Sequence, residues 1–490
     1  MIKTFNKIWL ILTLLVNGAA IMVLEILGTR IIAPFFGTTL YVWTALIVIT
    51  LLALALGYYF GGRLADKKPD WKVFFSLFFI ASILFIVIPL VDGFILDSMS
   101  NFGIMWGPLV AALVLFFLPL GILGMVTPFA VRLRIKAVEN AGKRVGNFYA
   151  ISTAGSIVGA LIVAYLLIPN FKISTILLST AVILSLVSAV WFLANKKGTI
   201  PAISVLLIGV LLVILQPAEK TEAKVLEEVK SFYGDIKVET RSTDLTCITV
   251  NSIPQSCFNP DTDGSAFAYT ALMTRGLEQV EEPTKVLVIG DGSGLISREI
   301  LKKYDVAIDA VDVVEKMFEL GKKYLFFEDL PNVNKIAADG RKFLYDSTGD
   351  YDAILIDAFM DSTPVLHLHT KEMFELAGEK MTTDGVLAIN LYGYNNGVGT
   401  ETVASIYQTL TSVFDDVYIS PAGNANQEQR VLYNFVLFAS NSKLERLGRV
   451  FEPEVTANTP IITDNYNPLE YFSLPASEEL INYFVFGLDE

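Results

Sequence analysis

Two patterns of apolar and polar positions divide the chain. Up to about residue 216 the apolar runs are long and nearly unbroken, near 8–28, 41–61, 73–95, 107–130, 147–168, 174–194 and 200–216. A helix crossing a bilayer needs about 20 such residues, so this half predicts about seven transmembrane helices. The last is the shortest and opens at Pro201. The first is no cleaved signal peptide: it is too long, it carries Glu25 and Arg30 toward its far end, and further spans follow. Beyond residue 217 short strand-like runs alternate with helix-like ones. VLVI enters a glycine turn and the stretch LISREILKKY, and AIDAVDV follows, ending near Asp312. A helix over 314–324, Asp339-Gly340, the strand YDAILIDAF, a helix over 371–380 and the strand GVLAINLYG complete the series. Such alternation predicts a doubly wound α/β domain with a parallel sheet. The expected organisation is a helical membrane domain over 1–216, a linker and small β-hairpin subdomain over 217–275, and the α/β domain over 276–490.

Composition agrees with that division. Apolar residues make up 53% of the 490, and charged residues 18%, which excludes a disordered chain and argues against a simple soluble enzyme. Residues 1–216 hold 15 Lys and Arg against 6 Asp and Glu; the remainder holds 22 against 44. The net charge of −13 argues against nucleic acid as a partner. Thirteen of the basic residues in the first half fall in alternate loops, among them Arg63, Lys67, Arg132, Arg134 and Lys196, and these loops should face the cytoplasm. An odd number of spans then puts the acidic half outside the cytoplasm, and an even number inverts this. Cys247 and Cys257 lie in TCITVNSIPQSC, which reads as two strands around Asn251-Ser252. They are either a cross-strand disulfide, suited to an oxidising compartment, or two buried thiols.

Within the spans, Glu25 and Arg30 read as functional charges or as an interfacial pair. Gly57, Gly61, Gly62, Gly155 and Gly159 read as sites of close helix packing. No span shows the repeated polar or broken-helix pattern of a substrate path, so a transporter with an acidic sensor domain stands only as an alternative.

The chemistry concentrates in the second half. In KVLVIGDGSG, Gly290, Asp291, Gly292 and Gly294 form a turn that lets backbone approach a ligand at a helix N-terminus. Asp312 lies about 20 residues on, where an acid reaches a ribose diol. Asp291, Asp312, Asp339 and Asp357 all fall at or just after predicted strand ends, where such sheets bind ligands. Asp357, Asp361, His367 and His369 crowd into one short segment, and a histidine beside a carboxylate suits acid–base work. These are the only two histidines in the chain, and no metal centre is assigned.

These segments resemble spermidine synthase and the other aminopropyltransferases, whose domain is Rossmann-like. The resemblance covers about Ser231 to Glu470 and rests on SFYGDIKV, TVNSIPQS, FAY at 267–269, GDGSG, VDVVEK, ADGRKFL and YDAILIDAF. With the apolar half it looks closest to membrane-fused spermidine synthase-like proteins, through GYYFGGRLADKK, GNFYAISTAGSIVGALIVAYLLIP, DAFMDSTPVLHLHTKEMFE and ITDNYNPLEYF. The resemblance implies S-adenosylmethionine or its decarboxylated form as cosubstrate. It implies that Gln255 and Tyr269 line the active site, that Asp312 holds the ribose, that Asp339 with Gly340 meets the adenine, and that Asp357 helps deprotonate the attacking amine. Homodimers are common in the family.

The chain departs from the family where a polyamine would be held. Ser293 stands where the family has an acid before the last glycine of the turn, and Thr270-Ala271 stands for a His-Glu pair. The acid after Asp357 is displaced by one position, to Asp361. A diamine binds through opposed carboxylates, so putrescine is a poor expectation. The expected activity is that of a membrane-anchored, spermidine synthase-like transferase with an altered substrate, small, lipid-linked or glycan. The alternative is an extracytoplasmic enzyme without a sulfonium cosubstrate, doing cyclisation or elimination with Asp357 and His367.

Overall fold

The computed structural model describes residues 2–37, 39–134, 141–168, 170–195, 224–231, 234–241, 244–325, 332–360, 362–423 and 429–486. The chain forms two compact units, Met1–Lys220 and Thr221–Glu490.

Among the described residues of the first unit, six helices are long and apolar enough to cross a membrane. They are α1 (Ile2–Phe36), α2 (Leu40–Lys67), α3 (Trp71–Ser100), α4 (Gly103–Arg134), α5 (Ala141–Ile162) and α6 (Ile173–Ala194). The expected seventh span, 200–216, lies outside the described residues. Small residues set the closest helix approaches. A Cβ on Gly57 would lie 2.4 Å from the Gly121 carbonyl of α4, and one on Gly155 would lie 2.1 Å from the Leu15 carbonyl of α1. Gly62 has open space instead.

The second unit begins with a five-stranded antiparallel sheet in the order β1 (Lys224–Ser231), β2 (Gly234–Thr240), β3 (Thr246–Val250), β4 (Ile253–Asn259), β5 (Gly264–Ser265). Asn251 and Ser252 turn the β3–β4 hairpin with φ of 49° and 72°, as a tight hairpin turn requires. Val250 pairs with Ile253, yet further along Cys247 pairs with Cys257. The register gains one residue because Thr249 pairs with Pro254 while Ile248 pairs with Ser256, leaving Gln255 as the bulged residue. Pro254 lacks the N–H that a regular ladder needs, and the bulge brings Cys247 opposite Cys257, to which it is disulfide-bonded.

The larger sheet has seven strands, ordered β13-β14-β12-β9-β6-β7-β8. Strands β6 (Lys285–Ile289), β7 (Ala307–Asp312), β8 (Val333–Ala337), β9 (Tyr351–Ile356) and β12 (Met381–Tyr394) run parallel. Their aliphatic runs are buried because apolar clusters cover both faces of the sheet. A two-residue pair, β10 (Phe359–Met360) with β11 (Thr363–Pro364), follows β9. The expectation of a parallel sheet needs one correction. β14 (Leu432–Ser440) lies between β12 and β13 (Asp416–Pro421) and runs antiparallel to both. Strand β13 takes the outer position, and only about ten residues separate it from β14, fewer than a parallel crossover needs, so the two run antiparallel.

Candidate active site

A cleft of about 360 Å³ opens at the carboxyl ends of β6, β7, β8 and β9, roofed by β3 and β4 of the small sheet. Its walls bring together Gln255, Tyr269, Gly290, Asp291, Gly292, Asp312, Asp339, Gly340, Asp357 and His367 from distant parts of the sequence. The bulge accounts for Gln255: the extra residue of β4 is a wall residue of the cleft.

The glycine turn is shaped by its neighbour. Gly290 has φ of 90°, and a Cβ there would lie 2.1 Å from the Asp357 carbonyl oxygen. The backbone after β6 thus lies directly on the backbone that carries Asp357, and Asp357 N–H donates to Ile289 O at 2.9 Å. Gly292 approaches Asp312: a Cβ there would stand 3.1 Å from Asp312 Oδ2. Gly294, grouped with these as a binding residue on sequence grounds, is not a wall residue; it precedes the helix Leu295–Leu301 as its N-cap.

The four strand-end acids differ in what they do. Asp291 is buried, and its carboxylate faces the following helix. Oδ1 accepts from Ile296 N at 3.2 Å and Ser297 N at 3.3 Å, and Oδ2 accepts from the Ser297 hydroxyl. Burial pushes its pKa up to about 7 despite those donors. The Asp291 carboxylate is therefore occupied with the N-terminus of the helix Leu295–Leu301. Asp312 accepts from Val314 N at 2.7 Å, and burial lifts it to about 6. Asp339 begins the helix Gly340–Asp346, with Oδ1 accepting from Lys342 N at 2.9 Å and Oδ2 bonded to His367 Nε2 at 2.7 Å. Burial opposes its charge, but the Lys342 N–H and His367 outweigh it and hold the carboxyl below its ordinary value. Asp357 accepts from Asn390 Nδ2 at 2.8 Å and from the Tyr269 hydroxyl, and burial in the cleft raises it to about 6.

The histidines separate. His367 faces the cleft, but its carboxylate partner is Asp339, not Asp357. His369 is fully buried: Nδ1 bonds Val365 O at 2.8 Å, Nε2 has no partner, and burial depresses its pKa to about 4. Asp361 lies outside the described residues. The ITDNYNPLEYF segment straps the His367 turn in place. Arg341 grips both oxygens of Asp464 at 2.7 Å and donates to His367 O at 3.1 Å, while Asn467 Nδ2 donates to Leu366 O at 2.9 Å.

Among the described residues, aromatic rings line the wall next to Asp357. Phe267 stacks on Tyr269 with ring centres 5.7 Å apart, and Phe359 meets Tyr392 at 4.9 Å. Thr270 and Ser293 also line the cleft. Tyr392, Asn390 and Asn434 were missed on sequence grounds. Their trace was visible only as polar side chains inside the apolar runs VLAINLYG and LYNFVLF.

Residues 266–422 match the spermine/spermidine synthase domain family. A probable polyamine aminopropyl transferase of Bifidobacterium longum is 24% identical over 53% of this chain and 65% of its own length. A polyamine aminopropyltransferase of Saccharolobus solfataricus is 33% identical over 29% of this chain and 50% of its own. A crystal structure of a probable spermidine synthase from Corynebacterium glutamicum superimposes with a TM-score of 0.40 at 19% identity, over 46% of this chain and 82% of its own. The chain thus spans about half to two thirds of the length of these curated relatives. The C-terminal part of this chain carries a spermine/spermidine synthase domain.

Proposed function

We propose that the C-terminal unit is an aminopropyltransferase-type enzyme that uses an adenosyl sulfonium donor and an acceptor other than a simple diamine. The observation that carries this is one cleft holding Asp312, Asp339 and Asp357 at successive strand ends, beside a glycine turn with room for a nucleoside. The donor, decarboxylated S-adenosylmethionine or S-adenosylmethionine itself, supplies an alkyl carbon made electrophilic by positive sulfur. Asp312 would hold the ribose hydroxyls, since a Gly292 side chain would fill the space against its carboxylate. Asp339 and Gly340 would meet the base. The acceptor nitrogen would bond to the donor's electrophilic carbon as the carbon–sulfur bond breaks and the neutral thioether nucleoside leaves. Asp357 would take the nitrogen's proton, and its raised pKa of about 6 suits a general base near neutral pH.

The acceptor reading rests on the opposite wall. Asp357 stands there beside Tyr269 and Tyr392, with Phe359 packed on Tyr392, while Thr270 and Ser293 line the same cleft. Among the described residues, one carboxylate with aromatic faces on this side of the cleft favours a molecule with a single amine and an apolar flank. Calorimetry on the full chain in detergent tests the donor. Binding of decarboxylated S-adenosylmethionine or methylthioadenosine is expected, and absence of both sinks the reading. A transfer assay with monoamines of graded apolar length against putrescine tests the acceptor.

For placement, we propose that 200–216 forms a seventh span and that the domain lies outside the cytoplasm. The Cys247–Cys257 bond supports this, since disulfides persist in oxidising compartments. An impermeant thiol reagent should label a cysteine introduced near Glu490 in intact cells; labelling only after lysis reverses the placement.

A further inference from the structure

Behind Asp357 the sheet carries polar groups that its packing does not need. Asn390 sits in β12 with 1% of its surface exposed, flanked by Ile389 and Leu391, both fully buried. An amide buried there costs free energy unless both of its ends are bonded. Both are. Asn390 Nδ2 donates to Asp357 Oδ1 at 2.8 Å, and Asn390 Oδ1 accepts from Asn434 Nδ2 at 2.9 Å. Asn434 lies on the antiparallel neighbour β14 and also reaches the Tyr392 hydroxyl, which lines the cleft.

The two ends of an amide are not equivalent, because the oxygen only accepts and the nitrogen only donates. With the Asn390 oxygen taken by Asn434, its nitrogen must face the carboxylate. Donation therefore runs one way, from Asn434 to Asn390 to Asp357, and ends on the one group that best accepts it when ionised. We propose that Asn390, oriented by Asn434, is a positioning residue that ties one Asp357 oxygen to the sheet and keeps the carboxylate turned into the cleft as a proton acceptor. This rests on reading Asp357 as the base.

Among the described residues, the charged and titratable groups facing Asp357 are Tyr269 from the helix Ala268–Thr274, Tyr392 from β12, and Asp312 at the end of β7, with Asp291 beyond it. Losing Asn390 removes a donor that favours the charged carboxylate, so the protonation midpoint of Asp357 should rise. Losing Asn434 frees the Asn390 amide to turn its oxygen toward Asp357, a smaller change of the same sign.

Infrared titration of the full chain in detergent reads this directly. The band to follow is the protonated carboxyl stretch that Asp357→Asn abolishes. Asn390→Leu should move its midpoint up by about one pH unit, a tenfold change in proton affinity, and Asn434→Leu by less. The acid limb of the transfer rate should move equally, with KM for the adenosyl donor unchanged. Unmoved midpoints in variants that unfold at the wild-type temperature overturn the inference. Should Asn390→Leu fail to fold, an unmoved midpoint in Asn434→Leu overturns it alone. A midpoint that moves in a protein that transfers nothing keeps the positioning role and sinks the transferase reading instead.

Discussion

The two flanks of the cleft solve different problems. On the β7 and β8 side, Asp312 and Asp339 stand one strand apart, and each also takes a backbone N–H of the turn or helix that follows it. On the β9 and β12 side, Asp357 is held by Asn390 and Tyr269 within an aromatic wall. On the proposed reading, the first flank offers carboxylates to hydroxyl or amine groups of a ligand. The second sets one carboxylate, raised by burial to about 6 as Asp312 is, among aromatic rings and amides. The flanks differ in partners rather than in burial: backbone N–H groups hold Asp312 and Asp339, while side chains of distant strands and a neighbouring helix hold Asp357.

Removing the base should separate the flanks most sharply. Asp357→Asn should cut transfer by about 10²–10⁴-fold while leaving calorimetric binding of methylthioadenosine close to wild type. An equal loss of nucleoside binding would abolish the distinction. Next in size, Asp312→Asn should weaken that binding by about 1.5–3 kcal/mol, the range for hydrogen bonds to a charged group, with a normal rate at saturating donor.

The pH dependence follows from the raised carboxyls. Asp357 must be ionised to accept a proton, so the rate should climb about tenfold per unit up to about pH 6 and level above it. Folding stability should run the other way. Asp291, Asp312 and Asp357 have folded pKa values of about 7, 6 and 6, above their ordinary value. The folded state therefore holds protons that the unfolded chain has released, and stability should fall as pH rises from about 4 toward 7. Thermal unfolding of the full chain across that window checks the sign, and Asp357→Asn should flatten it.

The smallest effect belongs to the histidine. The His367–Asp339 pair is about half exposed on both sides, 48% and 43%, and exposed pairs contribute roughly 0–1 kcal/mol. His367→Ala should change nucleoside binding only a few-fold and spare the transfer rate. A collapse in rate would move the chemistry to His367 and redraw the comparison.

Much of this was legible along the chain because local chemistry forces it. Uninterrupted apolar runs cannot be anything but buried or lipid-facing, and six of the seven appear as long apolar helices. Aliphatic runs ending in Asp mark strand ends, which makes Asp312 and Asp357 legible in AIDAVDV and YDAILIDAF, with Asp339-Gly340 between them. Pairings were less legible. Nothing in DAFMDSTPVLHLHTKEMFE says that His367 pairs with Asp339, that His369 turns into the core, or that Asp464, far along the chain, steadies the turn through Arg341.

Periodicity, glycine and charge placement are short-range properties, so the sequence by itself determined the apolar helices, the alternating α/β order and the acids at strand ends. Which acid meets which partner depends on register and on strands distant in sequence. Only the tertiary structure decided the antiparallel insertion of β14, the bulge at Gln255, the inward use of Asp291 and the amide chain behind Asp357. A hydrogen bond has a range of a few ångströms, and residues 33 and 44 positions apart come within it only when β9, β12 and β14 lie side by side.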